Sequence, residues 1–83
     1  MQKSIHSRHY LTFLTVLRQA RQDAGLTQAQ LARKIGEAQT FVSKCERGER
    51  RIDVVELRTF CHAIGISLAR FVARLEKAIG KSR

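Results

Sequence analysis

Apolar residues recur at helical spacing in five separate segments of the chain, and no alternation typical of a strand competes with this pattern. A glycine follows each segment, at Gly25, Gly36, Gly48, Gly65 and Gly80. Glycine just beyond a periodic segment commonly ends a helix, because it adopts the left-handed conformation without a Cβ clash. The pattern predicts an all-α fold in which five helices form a single domain over residues 1–83, with residues 1–6 frayed.

Capping signals locate the starts of three of these helices. Thr27 and Gln30 have the spacing of a capping box, and Asp53 is followed by an acidic Glu56 at the same distance. Ser67 is a third N-cap residue, whereas Ala38, ahead of the third helix, has no side-chain oxygen with which to cap. The predicted helices cover residues 7–24, 27–34, 39–47, from 53 to the glycine at 65, and 67–79.

The charge of the chain narrows the class of partner. Sixteen Lys and Arg oppose seven Asp and Glu in 83 residues, which gives a net charge of +9. Such a surplus predicts a polyanionic partner, either nucleic acid or an anionic membrane surface. With 43% apolar residues the chain is too hydrophobic for a disordered basic tail. No apolar run approaches the roughly 20 residues of a membrane span, no secretion signal opens the chain, and two cysteines fit a cytoplasmic protein.

Residues 27–47 read as two short helices joined by a tight turn, which is the helix-turn-helix arrangement that places its second helix in the DNA major groove. At about 100° per residue, Ala38, Val42 and Cys45 share an inward face of that second helix. The outward face is polar, as any solvated helix face is, but its residue types suit base edges. The expected base contacts are Gln39, Thr40, Ser43 and Lys44.

Glu46 lies about 40° from Val42 on the same helix, on its buried flank. A carboxylate there must find a cation or become neutral. Arg21, one turn before the end of the first helix, is the candidate partner for a structural salt bridge. The alternative is that Glu46 leans toward solvent and pairs with Arg50 or with nothing.

The segments LTQAQLARKIG and QTFVSKCERGER, with the apolar pattern that follows, resemble the Xre-type transcriptional regulators, the phage-repressor and Cro type of helix-turn-helix. The resemblance covers roughly residues 10–75. It implies a five-helix domain that binds double-stranded operator DNA as a symmetric dimer. It also implies an Arg21–Glu46 salt bridge and a phosphate contact for Gln28. It places Gln39, Thr40 and Lys44 on base edges. Glu37, Ala38 and Phe41 depart from the residues usual in this family.

Further contacts are expected with the DNA backbone, which position a protein without reading sequence. Phe41 would lie beside a thymine methyl or the sugar-phosphate chain; alternatively, it seals the edge of the second helix. The arginines that follow the recognition helix would meet phosphates, unless they belong to an ordinary solvated loop. The expected backbone contacts are Thr27, Gln28, Phe41, Arg47, Arg50 and Arg51.

The fifth helix carries more apolar residues than a small core needs. Leu75 and Ile79 lie beyond that core in the expected arrangement and predict a two-fold interface between two copies, within residues 67–79. The alternative is a frayed C-terminal turn. Basic residues also recur along this helix, where they serve either solubility or a second anion contact.

Enzymatic or metal chemistry is not expected. Cys45, Cys61 and His62 lack zinc-site spacing, the two cysteines fit apolar core positions, and no catalytic set or cofactor site can be assembled. The leading hypothesis is a DNA-binding transcriptional regulator, a homodimeric repressor at a palindromic operator. The alternatives are an antitoxin with the same DNA-binding domain, and a protein-binding adaptor without specific DNA recognition.

Overall fold

A computed structural model describes residues 7–81 and contains five α-helices over that range. The expected fraying of residues 1–6 lies outside the described residues. The helices are α1 (Arg8–Asp23), α2 (Gln28–Ile35), α3 (Gln39–Glu46), α4 (Val54–Ile64) and α5 (Leu68–Lys81). The predicted all-α fold is confirmed.

The predicted helix starts are confirmed by their hydrogen bonds. The Thr27 hydroxyl accepts from the Gln30 amide at 3.0 Å, while the Thr27 amide donates to the Gln30 side chain at 2.9 Å. The same reciprocal pair joins Asp53 and Glu56 at 2.7 and 3.0 Å. The Ser67 hydroxyl accepts from the backbone of the first turn of α5 at 3.1 Å. Each bond satisfies a backbone donor that the first helical turn leaves free.

Most predicted helix ends agree with the structure, but one is wrong. Gly36 and Gly65 end α2 and α4 with φ of +74° and +96°, in the left-handed region. Gly80, by contrast, lies inside α5, which continues to Lys81. Glycine within a helix costs only about 1 kcal/mol relative to alanine, so the neighbouring residues can carry the helix through it.

The core takes a large apolar side chain from every helix. Leu17, Leu31, Val42, Phe60 and Phe71 are at most 1% exposed. Phe71 meets Phe13 of α1 edge-to-face, with ring centroids 5.9 Å apart, and this contact fixes α5 against α1. Each such side chain contributes roughly 1.5–3 kcal/mol by its burial. The core therefore holds α1, α4 and α5 as a platform against which α2 and α3 pack.

The two cysteines are fully buried, as predicted. Burial raises the pKa of both thiols, and around Cys45 this effect outweighs the opposing influence of Arg50. Both remain protonated at neutral pH and act as small apolar core residues.

Candidate nucleic-acid interface

The turn between α2 and α3 is closed by backbone geometry. Gly36 takes a left-handed conformation that reverses the chain, and the Glu37 amide donates to the Ala32 carbonyl at 2.9 Å. Ala38 was predicted to point inward but is exposed. The reason is its extended backbone, with φ −76° and ψ 155°, which takes it out of the helical rotation assumed for it.

The second helix of this unit, α3, is anchored on one side and open on the other. Val42 and Cys45 are 0% exposed and fix its inner face. Gln39, Thr40 and Lys44 are exposed on the outer face. The fourth predicted base-contact residue, Ser43, is half-buried, and its hydroxyl accepts a hydrogen bond from the guanidinium of Arg47. The structure thus brings three of the four predicted residues onto one open face.

A buried ion pair fixes the end of α3 against α1. Arg21 is 7% exposed and Glu46 2%. The Arg21 guanidinium donates to both Glu46 oxygens, at 2.7 and 3.0 Å, and its remaining terminal nitrogen donates to the Leu26 carbonyl at 2.8 Å. The alternative partner, Arg50, is engaged elsewhere. Because the pair is bidentate, it fixes orientation as well as distance between the two helices.

Sequence reasoning missed two further groups at this carboxylate, Gln28 and Arg18. The Gln28 amide donates to Glu46 Oε1 at 3.0 Å, and Gln28 in turn accepts a hydrogen bond of 3.4 Å from the Gln39 amide. Gln28 therefore links the buried ion pair to the first residue of α3, a connection between separate helices that no local spacing could indicate. Arg18 Nε lies 3.7 Å from the same carboxylate. Its position one turn before Arg21 was a usable signal.

The arginines after α3 are held by contacts within the chain. Arg47 pairs with Glu49 at 2.8 Å, and Arg50 pairs with Glu56 through two bonds of 2.8 and 3.0 Å. Hydrogen bonds from these arginines lower the pKa of both carboxyls, and the Asp53 amide lowers that of Glu56 further. The Arg47–Glu49 pair is exposed and the Arg50–Glu56 pair is partly exposed, so solvent screens both and each contributes little to stability.

Aromatic rings complete the surface beside α3. Phe41 is half-buried with its ring centroid 6.3 Å from that of Phe60, and the Arg50 guanidinium lies 4.8 Å from the Phe41 centroid. Arg51 lies over Tyr10 at 4.4 Å. Phe41 thus combines core packing with a partly exposed edge.

A polar outer face on a helix held by a short helix and a tight turn, in a chain of charge +9, defines a helix-turn-helix DNA-binding domain. The helix-turn-helix family model matches residues 17–71. A solved XRE-family like protein from Pseudomonas syringae pv. tomato is 44% identical, with a TM-score of 0.81 over 88% of this chain and 89% of that one. The chain belongs to the XRE family of helix-turn-helix transcription regulators, and is not an enzyme.

Two further solved regulators share the fold. The wild-type restriction-modification controller protein C.Esp1396I is 28% identical, with a TM-score of 0.84 over 92% of this chain and 99% of that one. The clp gene regulator ClgR from C. glutamicum is 26% identical, with a TM-score of 0.75 over 88% and 95%. The chain has no significant match among curated proteins. Within residues 7–81, no helix is long and apolar enough to cross a membrane.

Proposed function

We propose that the chain binds a near-palindromic operator as a homodimer and represses transcription by occupying promoter DNA. The open face of α3 carries this proposal. Gln39, Thr40 and Lys44 project from a helix whose inner side is fixed by the core and by a buried ion pair. A helix held in this way favours specific recognition, because the positions from which its side chains project are fixed before DNA binds.

Each side chain of the open face has a matching base edge. Gln39 can pair bidentately with adenine, Lys44 can donate to guanine, and Thr40 can contact either a polar edge or a thymine methyl. Ser43 is half-buried and its hydroxyl accepts from Arg47, but its own O–H can still donate to an acceptor on a base edge. The hydrogen bond from Gln39 to Gln28 would orient the Gln39 amide before DNA arrives.

Backbone contacts would frame this face on both sides. Gln28 at the start of α2 has a phosphate role by family resemblance, and the neighbouring Thr27 is exposed. Arg47, Arg50 and Arg51 are exposed after α3. These contacts would supply sequence-independent affinity that falls steeply with salt. Acting on chromosomal or phage DNA places the regulator in the cytoplasm.

The dimer proposal is supported by the second half of α5. Leu75 was expected to lie beyond the core but packs against it. Both Leu75 and Ile79 nevertheless remain half-exposed. They line an open apolar groove of about 420 Å³, and Val54 on its edge is 64% exposed. A second copy would cover this groove, and the two α3 helices would then lie about one DNA turn apart, roughly 34 Å.

The decisive experiment compares the DNA upstream of the chain's own gene with a scrambled duplex of equal length. Fluorescence anisotropy at physiological salt should give a preference of about a thousandfold or more for the operator. Lys44→Ala should reduce the free energy of operator binding by about 1–3 kcal/mol and relax the preference at one base pair, while affinity for scrambled DNA stays nearly unchanged. Arg58→Ala removes a charge at an exposed position of α4 and is the matched control.

The rival functions predict different results. A protein-binding adaptor would bind both duplexes weakly and equally, and Lys44→Ala would then weaken both alike. An antitoxin would bind its operator specifically but would also form a complex with a toxin encoded beside it. Sedimentation of the protein on a palindromic duplex tests the dimer, since one copy per duplex contradicts it.

A further inference from the structure

The positive charge of α5 borders a groove that the DNA-binding face does not use. The groove lies between α1 and α5 and has a volume of about 320 Å³. Val16 and Ala78 contribute apolar surface to it, Thr15 and Gln19 contribute polar groups on the α1 side, and Arg74, Lys77 and Lys81 line the α5 side. We propose that this groove binds an acidic amphipathic segment of a partner protein.

The cations of α5 form one continuous stripe. Arg70, Arg74, Lys77 and Lys81 are separated by four, three and four positions, which places them on a single helix face. Within residues 7–81, the only ion pair along this stripe joins Arg74 to Asp23 at 3.2 Å. No carboxylate of residues 7–81 lies within ion-pair distance of Lys77 or Lys81. The far end of the groove therefore carries uncompensated positive charge.

The groove faces away from α3. Val16 lines it, whereas Arg18, two positions along α1, lies 3.7 Å from the carboxylate of Glu46 in α3. The other α1 residues of the groove are Thr15 and Gln19, and with Val16 they project roughly 60° to 160° from Arg18 around the helix. A partner in this groove would thus lie on a different flank of α1 from the recognition helix, and both ligands could be bound together.

The lining of the groove favours a protein segment over a nucleic acid. Val16, Ala78 and the aliphatic stems of the lysines offer apolar surface, which a phosphate backbone has no group to bury. A helix with leucines on one face and glutamates beside them would bury the leucines and pair the carboxylates with Lys77 and Lys81. This is the mode in which an amphipathic helix occupies an apolar groove with a charged rim.

The test uses the full chain and a fluorescein-labelled helical peptide with leucines at i, i+3, i+4 and i+7 and glutamates between them. We expect saturable binding that the Lys77→Glu/Lys81→Glu variant weakens at least about tenfold, because like charges then face each other. Arg33→Glu/Arg58→Glu makes the same change in net charge at exposed positions on α2 and α4 and should leave binding within about twofold. A peptide with serine in place of leucine should bind weakly.

Several results would overturn the proposal. They are absence of peptide binding, equal weakening by both double variants, and equal binding of the leucine and serine peptides. A further contrary result is that Lys77→Glu/Lys81→Glu abolishes binding of a scrambled DNA duplex while the control variant does not, which would make the stripe a nucleic-acid contact. Far-UV circular dichroism of each variant establishes that it is folded. The peptide assay contains no DNA, so its outcome is independent of the proposed operator binding.

Discussion

Replacing Glu46 with alanine would leave the Arg21 guanidinium buried with one of its three observed hydrogen bonds. The two bonds to Glu46, at 2.7 and 3.0 Å, would be lost, and only the bond to the Leu26 carbonyl would remain. Breaking a buried pair in this way costs about 3–5 kcal/mol, because a charge stays buried without compensation. Small domains have a total stability of about 5–15 kcal/mol, so the loss is a large fraction of it.

Urea unfolding followed by circular dichroism measures this loss of free energy directly. In thermal unfolding of a domain of this size, a loss of about 3 kcal/mol corresponds to a fall in Tm of roughly 12 °C or more. Glu49→Ala, which removes the exposed partner of Arg47, is the matched control and should change stability far less, because water screens an exposed pair. An equally small effect for Glu46→Ala would refute the argument that the buried pair fixes α3.

The double variant Arg21→Met/Glu46→Leu separates the two halves of this reasoning. Removing both charges eliminates the uncompensated guanidinium, so stability should recover much of the loss seen in Glu46→Ala. Failure to recover would mean that the hydrogen bonds of the pair, including the one from Gln28, stabilise the fold more than burial of the charge destabilises it.

Three further outcomes test other parts of the structure. Gly80→Ala should stabilise the protein by roughly 0.5–1 kcal/mol, because Gly80 is helical and has open space around it. Gly65→Ala should destabilise it, because φ is +96° there, and equal effects of the two variants in urea unfolding would contradict this. Because the pKa of Glu56 is lowered in the folded protein, its pairing stabilises the fold at pH values above the ordinary glutamate pKa of about 4.3, and this stabilisation is lost as the pH falls through the folded-state pKa. Glu56→Gln should therefore lose less stability than wild type on acidification, and parallel profiles of stability against pH would exclude this contribution. Gln28→Ala should weaken operator binding about two- to tenfold through the lost hydrogen bonds, and unchanged anisotropy titrations would show that the link to Gln39 does not matter.

Local signals in the sequence were sufficient to predict much of the fold. The capping boxes of Thr27 and Asp53 were predictable because both partners lie within four residues of each other. The predictions for Ala38 and Gly80 were wrong because each residue departs from the average behaviour on which they rested. The first leaves helical geometry one residue before α3, and the second keeps it where glycine usually ends it. Propensity and periodicity describe average behaviour and do not resolve such single positions.

The site was predictable where a residue's angle on a helix determined its environment. The 40° offset of Glu46 from Val42 placed it on the buried flank of α3, and Arg21 then followed as the candidate partner. The bridging role of Gln28 could not be derived in this way, because it depends on how separate helices approach each other. The pairing of Arg50 with Glu56 depends on the path of the loop between α3 and α4. Their partners are chosen by tertiary packing.

The exposed pairs Arg47–Glu49 and Arg50–Glu56 have a consequence for DNA binding if these arginines contact phosphates as proposed. Each phosphate would compete with a carboxylate that already accepts two hydrogen bonds from the guanidinium. Glu49 and Glu56 would then act as internal competitors that reduce affinity for every sequence alike. Such competition lowers background occupancy of the chromosome without affecting the base contacts of α3, so a regulator of high positive charge would remain free to find its operator.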